Sequence, residues 1–164
     1  MHEVYNNFLF EIHYLRFYYE YRRQAAYISD LIFTALPLVI AAGGLTFFLN
    51  SAGLTIVGTL ILLTGQALSV INHLLPFGKK VQSLTTLISE LTLIAKQADY
   101  TWNNIEVLSS EQISDRIFEY ETRIAQYESR NSAVSPQMYS KRDALKASDS
   151  AKQYLISRYG LDRT

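Results

Sequence analysis

The sequence predicts an all-α membrane protein: an N-terminal aromatic helix, a two-span transmembrane helical hairpin and a cytoplasmic helical tail. Residues 31–78 contain no Lys, Arg, Asp or Glu, although the chain of 164 residues carries 15 basic and 15 acidic side chains. A span needs about 20 apolar residues, so this stretch is long enough for two. Beyond it, apolar residues recur at steps of three and four, which indicates helices rather than strands.

Residues 1–30 predict a helix that leads into the membrane and carries an aromatic face. Phe10, Tyr14, Phe17, Tyr21 and Ile28 follow one another at steps of three, four or seven, which places them on the same side of a helix. Aromatic rings favour the membrane–water boundary. The face therefore predicts an interfacial anchor or a packing surface, with a ligand-stacking surface as the alternative.

The uncharged stretch divides into two predicted spans, about 31–49 and 54–75. Between them lies "NSAG", at 50–53, whose residues favour turns. A signal peptide does not fit, because the apolar run is too long and follows 30 residues that include acidic side chains. A buried hairpin of a soluble bundle does not fit either, because too little chain remains to cover two helices that are apolar all round. The predicted organisation is 1–30, 31–78 and 79–164.

Basic residues next to the spans predict the orientation. The loop between the spans carries no charge, whereas basic side chains flank the hairpin on both sides. The positive-inside rule then places both termini in the cytoplasm and the protein in the inner (cytoplasmic) membrane. The flanking basic residues are Arg16, Arg22, Arg23, Lys79 and Lys80.

One stripe of the second span is polar. With Leu62, its members recur at steps of four and three, and the remaining faces are mostly aliphatic. An unpaired polar group in lipid costs several kcal/mol, so we expect the stripe to face protein or water. Both an interhelical contact and the lining of a pore satisfy this requirement. The stripe consists of Thr55, Thr59, Gln66, Ser69 and His73.

A neighbouring face of the same span carries small residues. Gly58 and Gly65 lie seven residues apart on it. Small residues allow two transmembrane helices to approach closely. We therefore expect this face to contact another helix.

The tail contains a heptad seam, which predicts a partner helix and self-association. Its residues are Val81, Leu84, Ile88, Leu91, Ala95, Ala98, Trp102 and Ile105. Ser109 and Gln112 match a capping box and predict a second helix with its own apolar seam. A break follows at 131–137. A last helix over about 137–159 is predicted to end at Gly160, since glycine is a common C-cap.

The residues predict no enzyme, no cofactor and no metal site. Cysteine is absent, and the three histidines, His2, His13 and His73, are scattered along the chain. No phosphate-binding loop, zinc motif or serine elbow is present in the sequence. Because basic and acidic residues balance, no nucleic-acid partner is predicted. The expected partners are the lipid bilayer and further copies of the chain.

The chain resembles the SLATT family of bacterial membrane effectors over roughly residues 14–130. The resemblance rests on the two-span architecture and on the stretches "YLRFYYEYRRQAAY" and "HLLPFGKKVQSLTTLISE". It implies an antiviral defence protein that oligomerises, opens pores and arrests growth of infected cells in abortive infection. It also adds a nucleotide second messenger or a co-encoded defence protein as a candidate partner. It assigns no binding residues.

Two other functions are compatible with a two-span helical protein. One is a membrane anchor or scaffold whose tail recruits a cytoplasmic partner. The other is a cation channel similar in outline to mitochondrial uniporters, which carry an acidic filter motif at a span entrance. The turn "NSAG" contains no acidic residue, so the sequence does not favour the channel.

Overall fold

The computed structural model describes residues 2–50, 55–74, 77–130 and 140–160. These ranges are almost entirely helical and contain no strand, which confirms the all-α class. The predicted turn at 50–53 falls mostly outside them. The helices are α1 (His2–Asn50), α2 (Thr55–Leu74), α3 (Phe77–Asn103), α4 (Ser110–Arg130) and α5 (Lys141–Tyr159), with a 3₁₀ turn, Ile105–Val107, between α3 and α4.

The chain divides into two compact units. One combines Met1–Arg23 with Gln82–Thr164, and we call it the four-helix unit. The other is Gln24–Val81, which we call the apolar unit. The sequence predicted boundaries after residues 30 and 78, with the N-terminal helix and the tail as separate segments. In the structure most of these two segments, except residues 24–30 and 79–81, belongs to one body, because the tail packs against the start of α1.

The four-helix unit has a hydrophobic core built mainly by α1 and α3. Full burial of a large apolar side chain contributes about 1.5–3 kcal/mol, so this core is a main source of stability. Its most deeply buried large apolar side chains are Tyr5, Leu9, Ile12, Leu84, Leu87, Leu91 and Ile94.

Two buried polar contacts join α1 directly to α3. The Tyr5 hydroxyl donates to the Ala98 carbonyl at 3.0 Å, and His13 Nε2 lies 2.9 Å from Asp99 Oδ1. Both bonds link residues close to the N-terminus with residues near the end of α3. The start of α1 therefore packs beside the end of α3, and these two helices form the central pair of the unit.

Helices α4 and α5 flank this pair. In α4, Tyr120 stacks on Phe8 of α1 with ring centroids 5.8 Å apart. The Tyr120 hydroxyl also shares a 3.1 Å hydrogen bond with the Thr101 hydroxyl of α3. In α5, Tyr159 meets Trp102 of α3 edge-on at 6.0 Å. Because Thr101 and Trp102 are neighbours in α3, α4 and α5 pack at the same level on different sides of the pair.

The buried face of α1 differs from the one that the sequence predicted. Tyr5, Leu9 and Ile12 are fully buried, whereas Phe10 is half-buried and Ile28 is 51% exposed. Residues 1–30 carry aromatic or apolar side chains at helical spacing on more than one face of α1. The face that begins at Tyr5 is the one that packs against α3. The first part of α1 is thus a packing surface.

The helix ends follow the predicted capping chemistry. Gln112 N–H donates to Ser109 Oγ at 3.2 Å, and Ser109 N–H donates to Gln112 Oε1 at 2.9 Å, which confirms the capping box. Gly160 has φ +64° and ends α5, as predicted. Ser140 caps the start of α5 by accepting from Asp143 N–H at 3.3 Å. The predicted residues 137–139 of this helix lie outside the described ranges.

Most of the apolar side chains that are described in the apolar unit are exposed. Among the described residues one helix, His2–Ala42, is long and apolar enough to cross a membrane; only 6% of its most apolar window is buried. The apolar part of α2 that is described, Thr59–Ile71, is shorter. Leu38 and Val39 are 68% and 66% exposed. Exposed apolar surface of this extent is typical of a membrane or interaction surface.

Candidate functional site

Helix α2 contacts α1 through Gly65. A Cβ built on Gly65 would lie 3.2 Å from Ile40 Cγ2 and 3.6 Å from the Pro37 carbonyl oxygen. The close approach predicted for this small residue is therefore confirmed. Ile61 and Leu68 are half-buried beside it, and together these residues form the side of α2 that faces α1.

The predicted polar stripe lies on a different side of α2. Gln66, Thr59 and Ser69 are exposed, and successive residues of an α-helix are separated by about 100°. Around the axis of α2, Gln66 therefore lies on one side of Gly65, and Ile61 and Leu68 lie on the other. The side chains of Thr55 and His73 are outside the described part of the structure. Within one chain, the described part of the stripe does not face α1.

The predicted basic flanks divide into two groups. Arg22, Arg23 and Lys80 are half-buried and Lys79 is exposed. Arg16 lies in the four-helix unit with its guanidinium carbon 4.5 Å from the centroid of the Phe17 ring and 5.7 Å from that of Tyr154. The Arg16 side chain packs against aromatic rings within the unit, and its role as a membrane-flanking residue stays a prediction.

The predicted seam of α3 is occupied by helices of its own chain. Leu84, Leu91 and Ala98 are fully buried. Ile88, Ala95 and Ile105 are also buried, whereas Val81 and Trp102 are half-buried. Self-association through this seam would require α3 to separate from α1.

A buried polar network, which sequence reasoning missed, joins three helices of the four-helix unit. His13 Nε2–H donates to Asp99 Oδ1 at 2.9 Å, and the Tyr154 hydroxyl donates to Asp99 Oδ2 at 2.7 Å. The His13 and Tyr154 rings lie 4.1 Å apart between centroids. His13 is fully buried, and its Nδ1 has no hydrogen-bond partner among the described residues. Sequence spacing gives no signal for three residues this far apart.

The network stabilises the charged form of Asp99. Burial would raise the pKa of this carboxyl, but the hydrogen bonds from His13 and Tyr154 outweigh burial, and the pKa lies below that of an ordinary aspartate. Burial and the bond to Asp99 raise the pKa of Tyr154 to about 12. The carboxylate is thus held ionised between a phenol and an imidazole, with no described nucleophile beside it.

A groove of about 480 Å³ lies between α3 and α4. Lys96, Tyr100 and Arg116 contribute to its lining, which gives it cations and one exposed ring. Arg116, however, lies 3.5 Å from Glu119 in the same groove, so only the charge of Lys96 is left without a counter-charge in the lining. The described residues also contain no group of three His, Asp or Glu side chains that could hold a metal ion.

Comparisons with protein-family models, with curated proteins and with solved structures find no match for this chain. They neither support nor refute the resemblance to the SLATT family. The fold and the site therefore rest on the geometry described above.

Proposed function

We propose that this chain inserts as a two-span hairpin and associates with further copies through the polar stripe of α2 to permeabilise a membrane. The observation that carries the proposal is the exposure of Gln66 within a single chain. A polar side chain in the bilayer core needs a partner. Because the contact between α1 and α2 is made at Gly65, another copy or water must supply that partner.

The division into units supports the hairpin. Met1–Arg23 and Gln82–Thr164 pack in one body, so both segments lie on the same side of any membrane. The chain between them must then cross an even number of times. Two helices, α1 beyond residue 30 and α2, provide two crossings.

The resemblance to SLATT proteins suggests the biological setting. Under this proposal the protein is a defence effector, and its permeabilised membrane arrests growth of the infected cell. The four-helix unit is cytoplasmic and receives the activating signal there. A ring of Gln66 amides, one from each copy, can pair across the axis in a closed state and contact water in an open one.

The test is Gln66→Leu in the full chain, compared with Gln66→Asn as the matched control. We expect Gln66→Leu to insert normally but to lose dye release from liposomes and growth arrest on expression. Gln66→Asn retains an amide and should retain activity. Crosslinking in mild detergent would report the oligomer size of all three proteins.

The outcomes separate the two roles of the stripe. Normal oligomers without dye release in Gln66→Leu indicate a pore-lining amide, whereas smaller oligomers indicate an interhelical contact. If dye release and oligomer size both stay unchanged in Gln66→Leu, the stripe has neither role and the pore assignment fails.

A scaffold is the second candidate, because the four-helix unit has exposed large apolar side chains of its own. Phe118 and Tyr100 are 71% and 72% exposed, and Val107 is 83% exposed. Such residues are common in contacts with partner proteins. A chain that neither releases dye nor slows growth, and that loses a copurifying partner in Phe118→Ser, would support the scaffold.

A further inference from the structure

We propose that the first turns of α5 and the Arg22–Arg23 pair of α1 form one surface that binds anionic lipid headgroups. The inference rests on the membrane insertion proposed above, but not on pore formation. We call this surface the basic end of the four-helix unit. It consists of Arg22, Arg23, Lys141, Arg142 and Lys146.

Contacts between α1 and α5 bring these residues together. Ser140 N–H lies 3.5 Å from the Tyr18 hydroxyl, and Tyr21 shares a 3.0 Å hydrogen bond with Ser150. Lys146 Nζ lies 5.7 Å from the centroid of the Tyr21 ring. Arg22 directly follows Tyr21 and stands one helical turn beyond Tyr18. Cations more than a hundred residues apart in sequence therefore share one end of the unit.

The composition of the basic end suits a membrane surface. Lys141, Arg142 and Lys146 are exposed, and Leu145 between them is 60% exposed. Basic side chains interleaved with exposed apolar ones are typical of helices that lie against anionic lipids. Over residues 20–23 and 141–146 there are five basic and two acidic side chains, so the end is net positive in a chain that is neutral overall.

Along α1, the basic end is close to the start of the uncharged run. Arg23 is the last residue of the four-helix unit before the apolar unit, and the uncharged run begins at residue 31. At about 1.5 Å per helical residue, the separation along α1 is roughly 12 Å. Headgroups extend the bilayer by about 5–7 Å beyond each face of the hydrocarbon core, and attraction between charges extends over about 8–10 Å at physiological salt. Anionic headgroups therefore lie within reach of the basic end.

The opposite end of α5 provides an internal comparison. Tyr159 contacts Trp102, which in turn stacks on Tyr5 near the start of α1. Lys152 is exposed and lies on the Tyr159 side of Ser150, the residue that bonds Tyr21. The same helix therefore carries lysines of equal charge within the basic end and outside it.

The chain has no native cysteine, so a single introduced cysteine can carry a fluorophore. The test labels two proteins in this way, Leu145→Cys and Phe118→Cys. The full chain is reconstituted in phosphatidylcholine vesicles with and without phosphatidylglycerol, and headgroup-nitroxide lipids quench the dye. We expect stronger quenching at 145 than at 118, and only with phosphatidylglycerol. The double variant Lys141→Gln, Lys146→Gln should weaken quenching of the dye at position 145 several-fold. The control double variant Lys96→Gln, Lys152→Gln removes the same charge and should leave this quenching unchanged.

The other outcomes overturn the proposal in distinguishable ways. Equal quenching at 145 in both lipid mixtures would show apolar contact without headgroup recognition. Equal effects of the two lysine pairs would show that net charge acts rather than the basic end. If the protein does not float with vesicles, membrane insertion itself fails. Raising the salt concentration should reduce quenching of the 145 dye, and no reduction would contradict the electrostatic basis independently of any lysine variant.

Discussion

At the scale of single residues, the Asp99 network explains how a weakly apolar helix stays in place. The side chains that α5 buries are three alanines and one leucine, Ala144, Ala147, Ala151 and Leu155, which remove little apolar area from water. A hydrogen bond to a charged group contributes more than a neutral one, and Tyr154 supplies such a bond to Asp99. The network therefore holds α5 on α1 and α3 where the apolar contact is small.

Tyr154→Phe tests this role, with Tyr21→Phe as its matched control on the same interface. Tyr21 bonds the neutral Ser150 hydroxyl at 3.0 Å, whereas Tyr154 bonds a carboxylate. We expect Tyr154→Phe to lower the free energy of unfolding by about 1.5–3 kcal/mol and Tyr21→Phe by about 0.5–1.5 kcal/mol. Thermal unfolding of the full chain in one detergent, followed by circular dichroism, gives the comparison. Equal midpoints for the two variants would contradict the role assigned to Asp99.

The pH dependence of the same unfolding experiment has a defined sign. The pKa of Asp99 is lowered in the folded chain, so its contribution is present above the unfolded value of about 3.9 and is lost as the pH falls through the folded pKa. The pKa of Tyr154 is raised to about 12, so its contribution is complete below about pH 10 and disappears as the pH rises through about 12. Tyr154→Phe should remove the part of the alkaline loss that comes from Tyr154. The rest should remain, because burial also raises the pKa values of Tyr5, Tyr19 and Tyr159.

At the scale of helices, local chemistry was predictable from the sequence and the choice of partner was not. The capping box at Ser109 and the end at Gly160 depend on neighbouring residues, and both are confirmed. The α3 seam was also visible, but its spacing does not say whether its partner is another chain. The structure fills it with α1, because Tyr5 and Ile12 present a complementary apolar face. The network of His13, which joins three helices, has no local pattern at all.

Gly65→Leu tests the contact between α1 and α2. Its Cβ would already lie 3.2 Å from Ile40 Cγ2, so a larger side chain must separate the helices, at a cost of about 1–3 kcal/mol. Ala67→Leu adds the same side chain on an exposed face of α2 and serves as the control. We expect a lower thermal midpoint in detergent for Gly65→Leu only. Similar midpoints for both variants would show that the approach at Gly65 is not needed for stability.

At the scale of the whole molecule, the two units differ in how far they bury apolar side chains. The four-helix unit has a buried core between its own helices, although Tyr100, Val107 and Phe118 stay exposed. The apolar unit leaves Leu38, Val39 and Leu60 more than half exposed. Both units share the helices α1 and α3. A bilayer around the apolar unit would cover its exposed side chains without requiring the four-helix unit to unfold.

This division predicts that both termini lie on the same side of the membrane. Tyr5 bonds the Ala98 carbonyl and His13 bonds Asp99, so the N-terminal segment and the tail fold as one body that a bilayer cannot separate. Arg22, Arg23, Lys79 and Lys80 flank the uncharged run and favour the cytoplasmic side. Reporter fusions at each end should both show cytoplasmic location, with alkaline phosphatase inactive and a fluorescent protein bright. A fusion after residue 52 provides the control and should give the opposite result. Opposite readings at the two termini would mean an odd number of crossings, which is incompatible with a four-helix unit assembled from both ends of one chain.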